Sequence, residues 1–308
     1  MNSLDWQSSL IRKQHMERRW LTALALVLLS GLRLSGLLLS GLLLSGLLLS
    51  GLLLSGCTQN HPLMSQSGIS SGKNKISIAA ASDLKFVFPE LIEEFQRLYP
   101  EIMVQTTFGS SGNFFAQLSN RAPFDLFFSA DHAYPRKLID QGDAVQDSEF
   151  AYASGHLVLW VPNDSPLDLN HEGIQVLSDP RVKKIAMANP RLAPYGRAAE
   201  GALQHFGLEE SLKDRIVLGD NVAQAALFVE SGAADVGIVA ASLASAAPMR
   251  SRGRSWPLPT ESYPALQQIG VMMTWANDRS ACERFREFVL SDAGQAILRQ
   301  HGSAAAED

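Results

Sequence analysis

The chain has 308 residues, 26 of them Lys or Arg and 31 Asp or Glu, for a formal net charge of −5. An acidic balance argues against a general nucleic-acid or polyanion binder, so any anion site must be built locally. There are two cysteines, Cys57 and Cys282.

Residues 1–56 do not read as part of a folded domain. Arg12, Lys13, Arg18 and Arg19 precede an apolar run that begins at Trp20 and breaks off at Gly56-Cys57. A basic segment followed by an apolar one ending in small residues is the layout of a secretory signal. From Ser30 onward the run repeats Ser-Gly-Leu-Leu-Leu, with Arg33 interrupting the first copy. Such repetition carries no core-packing information. The run is also long enough to span a bilayer, so an uncleaved transmembrane anchor is its other reading. Leu54-Ser55-Gly56-Cys57 resembles the lipobox of bacterial lipoproteins, in which the Cys is diacylated and becomes the mature N-terminus. A lipidated Cys57 could not pair with Cys282, so no disulfide is expected. Cys282 falls in a helical pattern with Ala281, Phe285 and Phe288, where a packed, inert thiol is expected. Loss of residues 1–56 removes five basic and two acidic side chains, leaving 252 residues with a net charge near −8.

Residues 57–74 are rich in Ser, Gly and Asn and read as a flexible tether. Ile76 to Ala81 then forms an apolar strand, and Ser82-Asp83 supplies an N-cap to a helix holding Leu84, Phe88, Leu91, Ile92 and Phe95. Strand Ile102–Phe108, the turn Gly109-Ser110-Ser111-Gly112 and a helix from Asn113 to Ser119 follow. Further strands are expected at Phe124–Phe128, Leu157–Val161, Lys184–Ala188, Ile216–Leu218, Val236–Ala240 and Gln268–Trp275. Helices are expected around Leu138 and Ile139 and at Pro194–Phe206, Val222–Glu230, Ala281–Leu290 and Ala293–Gln300. This alternation predicts an α/β fold with mostly parallel sheets. In such sheets ligands bind beyond the carboxyl ends of strands, where helices begin.

Four strand-to-helix junctions carry the unusual residues. Ser82 offers a hydroxyl at the first. At the second, Gly109 and Gly112 allow a tight turn around Ser110 and Ser111. At the third, Pro194 suits the first helical turn and leaves the Tyr195 and Gly196 N–H groups free. The fourth is Gly219-Asp220-Asn221-Val222. Unpaired N–H groups and the helix dipole act together on anions. No Lys or Arg stands at a helix mouth, since Lys85 and Arg197 lie inside their helices. Spacings for a metal site, a nucleophile elbow, a Walker loop or a dinucleotide fingerprint are not found. An oxyanion held by neutral hydroxyls and amides fits this inventory, and neutral donors strand no buried countercharge on release.

The stretches AAASDLKF, FGSSGNFFAQL, APFDLFFSAD, ANPRLAPYGRAA and GAADVGIVA, in this order, resemble the molybdate-binding proteins of bacterial ABC transporters. The resemblance spans about Lys75 to Gly302. It implies a two-lobed periplasmic-binding-protein fold with the ligand in the interlobe cleft. Lobe one would hold residues 75–155 plus 246–308, and lobe two residues 156–245. It further implies that the Ser82 and Ser111 hydroxyls and the Tyr195 and Val222 backbone amides enclose a molybdate or tungstate oxyanion. Asp83 and Ser110 would be neighbours, with the Asp83 carboxylate pointing away from the anion. Some relatives place a Tyr where Ala240 stands, so that hydroxyl is missing here. The implied partner is an ABC permease, and the protein is expected to be a lipid-anchored periplasmic monomer without a resident cofactor.

Sulfate, thiosulfate, phosphate or a ferric–anion complex on the same fold is the alternative, since sulfate and molybdate differ mainly in size. An enzyme would need a base beside the helix-start serines, and none is recognisable. A sensor would need an output domain.

Overall fold

The computed structural model describes residues 74–305. The expected signal segment, Cys57 and nearly all of the expected tether lie outside the described residues.

Two five-stranded sheets form the frame. The first contains β1 (Asn74–Ala81), β2 (Ile102–Gly109), β3 (Leu126–Ser129), β4 (Phe150–Gly155) and β10 (Leu266–Met272), in the order β2-β1-β3-β10-β4. The second contains β5 (Leu157–Pro162), β6 (Ile185–Ala188), β7 (Ile216–Gly219), β8 (Val236–Ala240) and β9 (Gly253–Pro257), in the order β7-β6-β8-β5-β9. Eight of the helices matter below: α1 (Phe88–Leu98), α2 (Ser111–Leu118), α3 (Ala133–Asp140), α4 (Pro194–His205), α5 (Val222–Glu230), α6 (Ala241–Ser245), α7 (Arg279–Leu290) and α8 (Asp292–Gln300).

The fold is α/β, as the alternation implied, and two-lobed, as the resemblance implied, with sheets that are mixed where mostly parallel ones were expected. β1 runs parallel to β2 and β3, and β6 runs parallel to β7 and β8. β10 is antiparallel to both β3 and β4, and β5 to both β8 and β9. The antiparallel strands flank the passages between lobes: the chain leaves the first sheet in β4, crosses at His156 and enters the second in β5. It returns between β9 and β10.

This return corrects the expected boundary at 245/246. β9 pairs with β5 from Val158↔Pro257 to Pro162↔Gly253, so the second lobe reaches Pro257. An edge strand with one buried residue in five, Gly-Arg-Ser-Trp-Pro, has no apolar alternation to betray it.

β1 ends in four buried residues, and β3, β6 and β8 are buried throughout, the mark of strands covered on both faces. Phe88, Leu91 and Phe95 of α1 and Phe285 of α7 cover one face of the first sheet. There Phe88 meets Phe128 edge-on at 5.0 Å and Phe95 meets Phe285 at 5.0 Å. Each such pair adds ~0.5–1.5 kcal/mol beyond area burial. Cys282 is fully buried among them, and burial, with smaller contributions from nearby carboxylates, pushes its thiol up to about 12. It is an inert core residue, as its helical spacing implied.

The first helix starts later than its apolar spacing suggested. Ser82–Leu84 is a 3-10 turn, and α1 begins only at Phe88. Pro89 explains the delay, because proline is accommodated in a helix's first turn and breaks its interior.

Candidate functional site

All four junctions meet where the lobes face each other. At the end of β1, Ser82 is buried and has no capping bond within its own turn. Its Oγ instead accepts the backbone N–H of Ala223, across the cleft in the first turn of α5, at 3.3 Å. The expected N-cap role is therefore replaced by an interlobe contact.

After β2, the capping duty falls to Ser110, whose Oγ accepts the Asn113 N–H at 3.3 Å. Ser111, the first residue of α2, turns its Oγ toward β3 and accepts the Ala130 N–H at 3.0 Å. Gly112 follows and donates its N–H to the Leu192 carbonyl of the other lobe at 2.8 Å. A Cβ at this position would lie 2.6 Å from that carbonyl oxygen and 2.7 Å from the Tyr134 hydroxyl. Only glycine permits so close an approach.

A serine hydroxyl carries one proton and two acceptor sites. Ser82 and Ser111 each spend acceptor capacity on a backbone N–H, which leaves the hydroxyl proton to donate elsewhere. The protein thus presents both side chains as donors.

The second lobe contributes backbone. Pro194 opens α4, and Tyr195 stands in its first turn. Asn221 caps α5 by accepting the Gln224 N–H at 3.0 Å, and Val222 is its first residue. Helix-start N–H groups have no intrahelical acceptor. Among the described residues, no acceptor takes up the Tyr195 or Val222 N–H. Both residues are buried at the lobe boundary. The four predicted residues are therefore drawn to one region: Ser82 touches α5, and Gly112, beside Ser111, touches the Leu192–Tyr195 segment.

Asp83, expected as a neighbour, is drawn into the boundary as well. Its Oδ2 accepts the Tyr195 hydroxyl at 3.2 Å and the Gln268 Nε2–H at 2.6 Å. Gln268 also donates to the Tyr195 hydroxyl at 3.2 Å, and Ser242 Oγ donates to the Asp83 carbonyl at 3.0 Å. Burial raises the Asp83 carboxyl to about 6, against the lowering effect of the bonds from Gln268 and Tyr195. Burial first, and then the Asp83 charge, hold the Tyr195 phenol well above its ordinary value. Ala240 is fully buried at the end of β8, and the nearest hydroxyl after that strand, Ser242, is committed to Asp83.

Sequence reasoning missed Gln268, Asp131, Tyr134 and the reach of Arg197. Arg197 lies inside α4, as expected, yet its guanidinium crosses the cleft to the Asp131 carboxylate. It also donates to the Tyr134 hydroxyl at 3.2 Å and lies 5.3 Å from that ring's centre. Asp131 is further held by Ser129 Oγ at 3.1 Å and the Tyr134 N–H at 3.3 Å. The nearby cation is thus committed to a carboxylate, in keeping with a site of neutral donors. Gln268 gave no local signal: Gln267 stands beside it in β10, and only the fold shows that its amide is 1% exposed and bonded.

An open cavity of about 760 Å³, lined by Lys75, Ser77, Gln105, Asp125 and Asn277 among others, lies near the start of β1, away from the junctions. Its buried carboxylate, Asp125, already accepts the Ser77 and Asn277 N–H groups. Among the described residues no cluster of His, Cys, Asp or Glu could hold a metal ion, and no helix is long and apolar enough to cross a membrane.

Comparison with known proteins places this architecture. A molybdate-binding protein, ModA, of Azotobacter vinelandii is 32% identical over 228 residues, covering 74% of this chain and 89% of that protein. The ModA of Rhodobacter capsulatus is 34% identical over 218 residues, covering 70% and 84%. The solved periplasmic molybdate-binding protein of Azotobacter vinelandii superposes with a TM-score of 0.70 at 33% identity, over 75% of this chain and all of that one. Residues 76–303, nearly the whole described fold, match the family of the bacterial extracellular solute-binding protein, and the chain belongs to that family.

Proposed function

We propose that the protein is the solute-binding component of an ABC importer and captures molybdate or tungstate, as a tetrahedral oxyanion, between its lobes. The observation that carries this reading is the donor set. The Ser82 and Ser111 hydroxyls have their acceptor sides engaged, and the Tyr195 and Val222 N–H groups open two helices on the facing lobe. Neutral donors suit a dehydrated dianion that must later be released. The contacts would run to the oxyanion's oxygens, never to the metal at its centre. The two relatives named for molybdate support this ligand over sulfate or phosphate. A two-lobed binder of this family delivers its closed state to a membrane permease, which is the implied partner. Attachment through a lipid on Cys57, on the extracytoplasmic face, and a monomeric state complete the reading. It assigns no catalysis, because the helix-start serines have no histidine beside them.

Isothermal titration of the full-length protein in detergent, with molybdate, tungstate and sulfate in turn, tests the assignment. Tight one-to-one binding of molybdate or tungstate with sulfate silent is expected. Binding of sulfate alone would overturn the ligand and keep the site.

A further inference from the structure

Asp83 is an unusual residue to find beside an anion-binding hydroxyl. It follows Ser82 directly, is 2% exposed, and points its Oδ2 at Tyr195 and Gln268. Its other oxygen, Oδ1, is buried without a hydrogen-bond partner. So is Gln268 Oε1, on the side chain already joined to Asp83 through its Nε2. Two stranded acceptors on two linked side chains are costly. One proton on the Asp83 carboxyl supplies the donor that this pair lacks.

Burial opposes the charged form and outweighs the hydrogen bonds that favour it. From α4, Tyr195 donates its hydroxyl to the carboxyl, and from β10 the neutral Gln268 does the same with its amide. From β4 comes Tyr152, whose phenol is spent on the Ser129 carbonyl at 3.0 Å. From α6 comes the Ser242 hydroxyl, bonded to the Asp83 carbonyl. The next charged group is Asp131, whose cation, Arg197, is committed to it. Among the described residues no Lys, Arg or His forms a hydrogen bond or ion pair with the Asp83 carboxyl. A dianion arriving at the adjacent Ser82 adds like charge and favours protonation further. Before any anion arrives, burial opposed by these hydrogen bonds leaves the carboxyl raised to about 6.

Resting on the oxyanion reading above, we propose that Asp83 carries a proton in the closed, anion-bound protein, so that capture of the dianion takes one proton from solvent. Asp83 is then a specificity-determining residue: neutral, it bridges Tyr195 and Gln268 beside the anion, and ionised, it repels the anion. Affinity rises as pH falls through neutrality, and alkaline conditions favour release.

Titration calorimetry of the full chain with molybdate at pH 7 and pH 8, in two buffers of unlike ionisation enthalpy, counts the protons directly. Uptake approaching one proton per anion is expected, with affinity falling up to tenfold per pH unit above about 6, where the free carboxyl has ionised, until the bound carboxyl titrates in turn. Asp83→Asn, which copies the neutral acid and gives Gln268 Oε1 a donor, is expected to bind with no proton uptake and no pH slope. Molybdate binding by the wild type with no proton uptake, and an affinity flat from pH 6 to pH 8, would overturn the protonation of Asp83 and leave the oxyanion reading standing. A wild type that binds neither molybdate nor tungstate overturns both. The wild-type proton count needs no variant, so a poorly folding Asp83→Asn would not obscure the result.

Discussion

The two lobes meet the same cleft with different chemistry. The first offers side-chain hydroxyls, from Ser82 and Ser111, each fixed by a backbone N–H that it accepts. The second offers main chain, the N–H groups that open α4 and α5, fixed by helix geometry and by Pro194 and the Asn221 cap. A hydroxyl can rotate to suit its ligand, whereas a helix-start amide cannot. In the proposed site the first lobe therefore adapts, and the second sets its position and dimensions.

The largest effect concerns Asp83, on the adaptable side. With Asp83 raised from 3.8 to about 6 by burial, the native state holds its proton longer than the unfolded chain. The stability that Asp83 contributes is then fully present below about pH 4 and is lost as pH rises through about 6. The difference is about 3 kcal/mol across the window, from the energy of one pKa unit. Thermal melting from pH 4 to pH 8 reads it, and Asp83→Asn should flatten the profile and melt higher at pH 8.

Val222→Pro tests the rigid side. Val222 is the first residue of α5, and Asn221 before it is extended (φ −149°, ψ 172°), so proline fits the helix start while deleting one N–H. A loss of about 2.5 kcal/mol in anion affinity is expected, with helix content by circular dichroism unchanged. Ser111→Ala tests the adaptable side and separates the two designs. It should lower affinity by about 2 kcal/mol and also lower stability, because it strands the buried Ala130 N–H. Calorimetry and denaturant unfolding on the same samples check both. An affinity left unchanged by either substitution would remove that residue from the site.

The smallest effect belongs to the ion pair that ties the lobes. Arg197 is 39% exposed on its side chain, so solvent screens its bond to Asp131, and Arg197→Ala should cost under about 1 kcal/mol. Stopped-flow dissociation should show a several-fold faster release, shrinking as salt is raised.

The sequence was most legible where function needs a side chain with a distinctive neighbourhood. Ser82 and Ser111 stand at glycine- or alanine-rich strand ends, so they could be picked out before any fold was known. Tyr195 and Val222 would act through the backbone N–H that every residue but proline carries; helix-start patterns marked their junctions, and family resemblance chose them as donors. The partners Gln268, Asp131 and Tyr134 are joined to the site across 63 to 185 positions of sequence, which no local pattern can register. The lobe boundary escaped for a related reason: β9 pairs across 90-odd residues and shows no apolar alternation.

The order of strands in the first sheet has a consequence for the life of the chain before it is folded. β10 lies between β3 and β4, and Ala304 bridges back to Ser154 of β4. The second lobe is one continuous stretch and can close on itself as soon as β9 is available. The first cannot: β4 has no neighbour to join until residues 266–272 arrive, more than a hundred positions later. The first lobe thus completes its sheet only when its last strand has been made, whereas the second can fold before it.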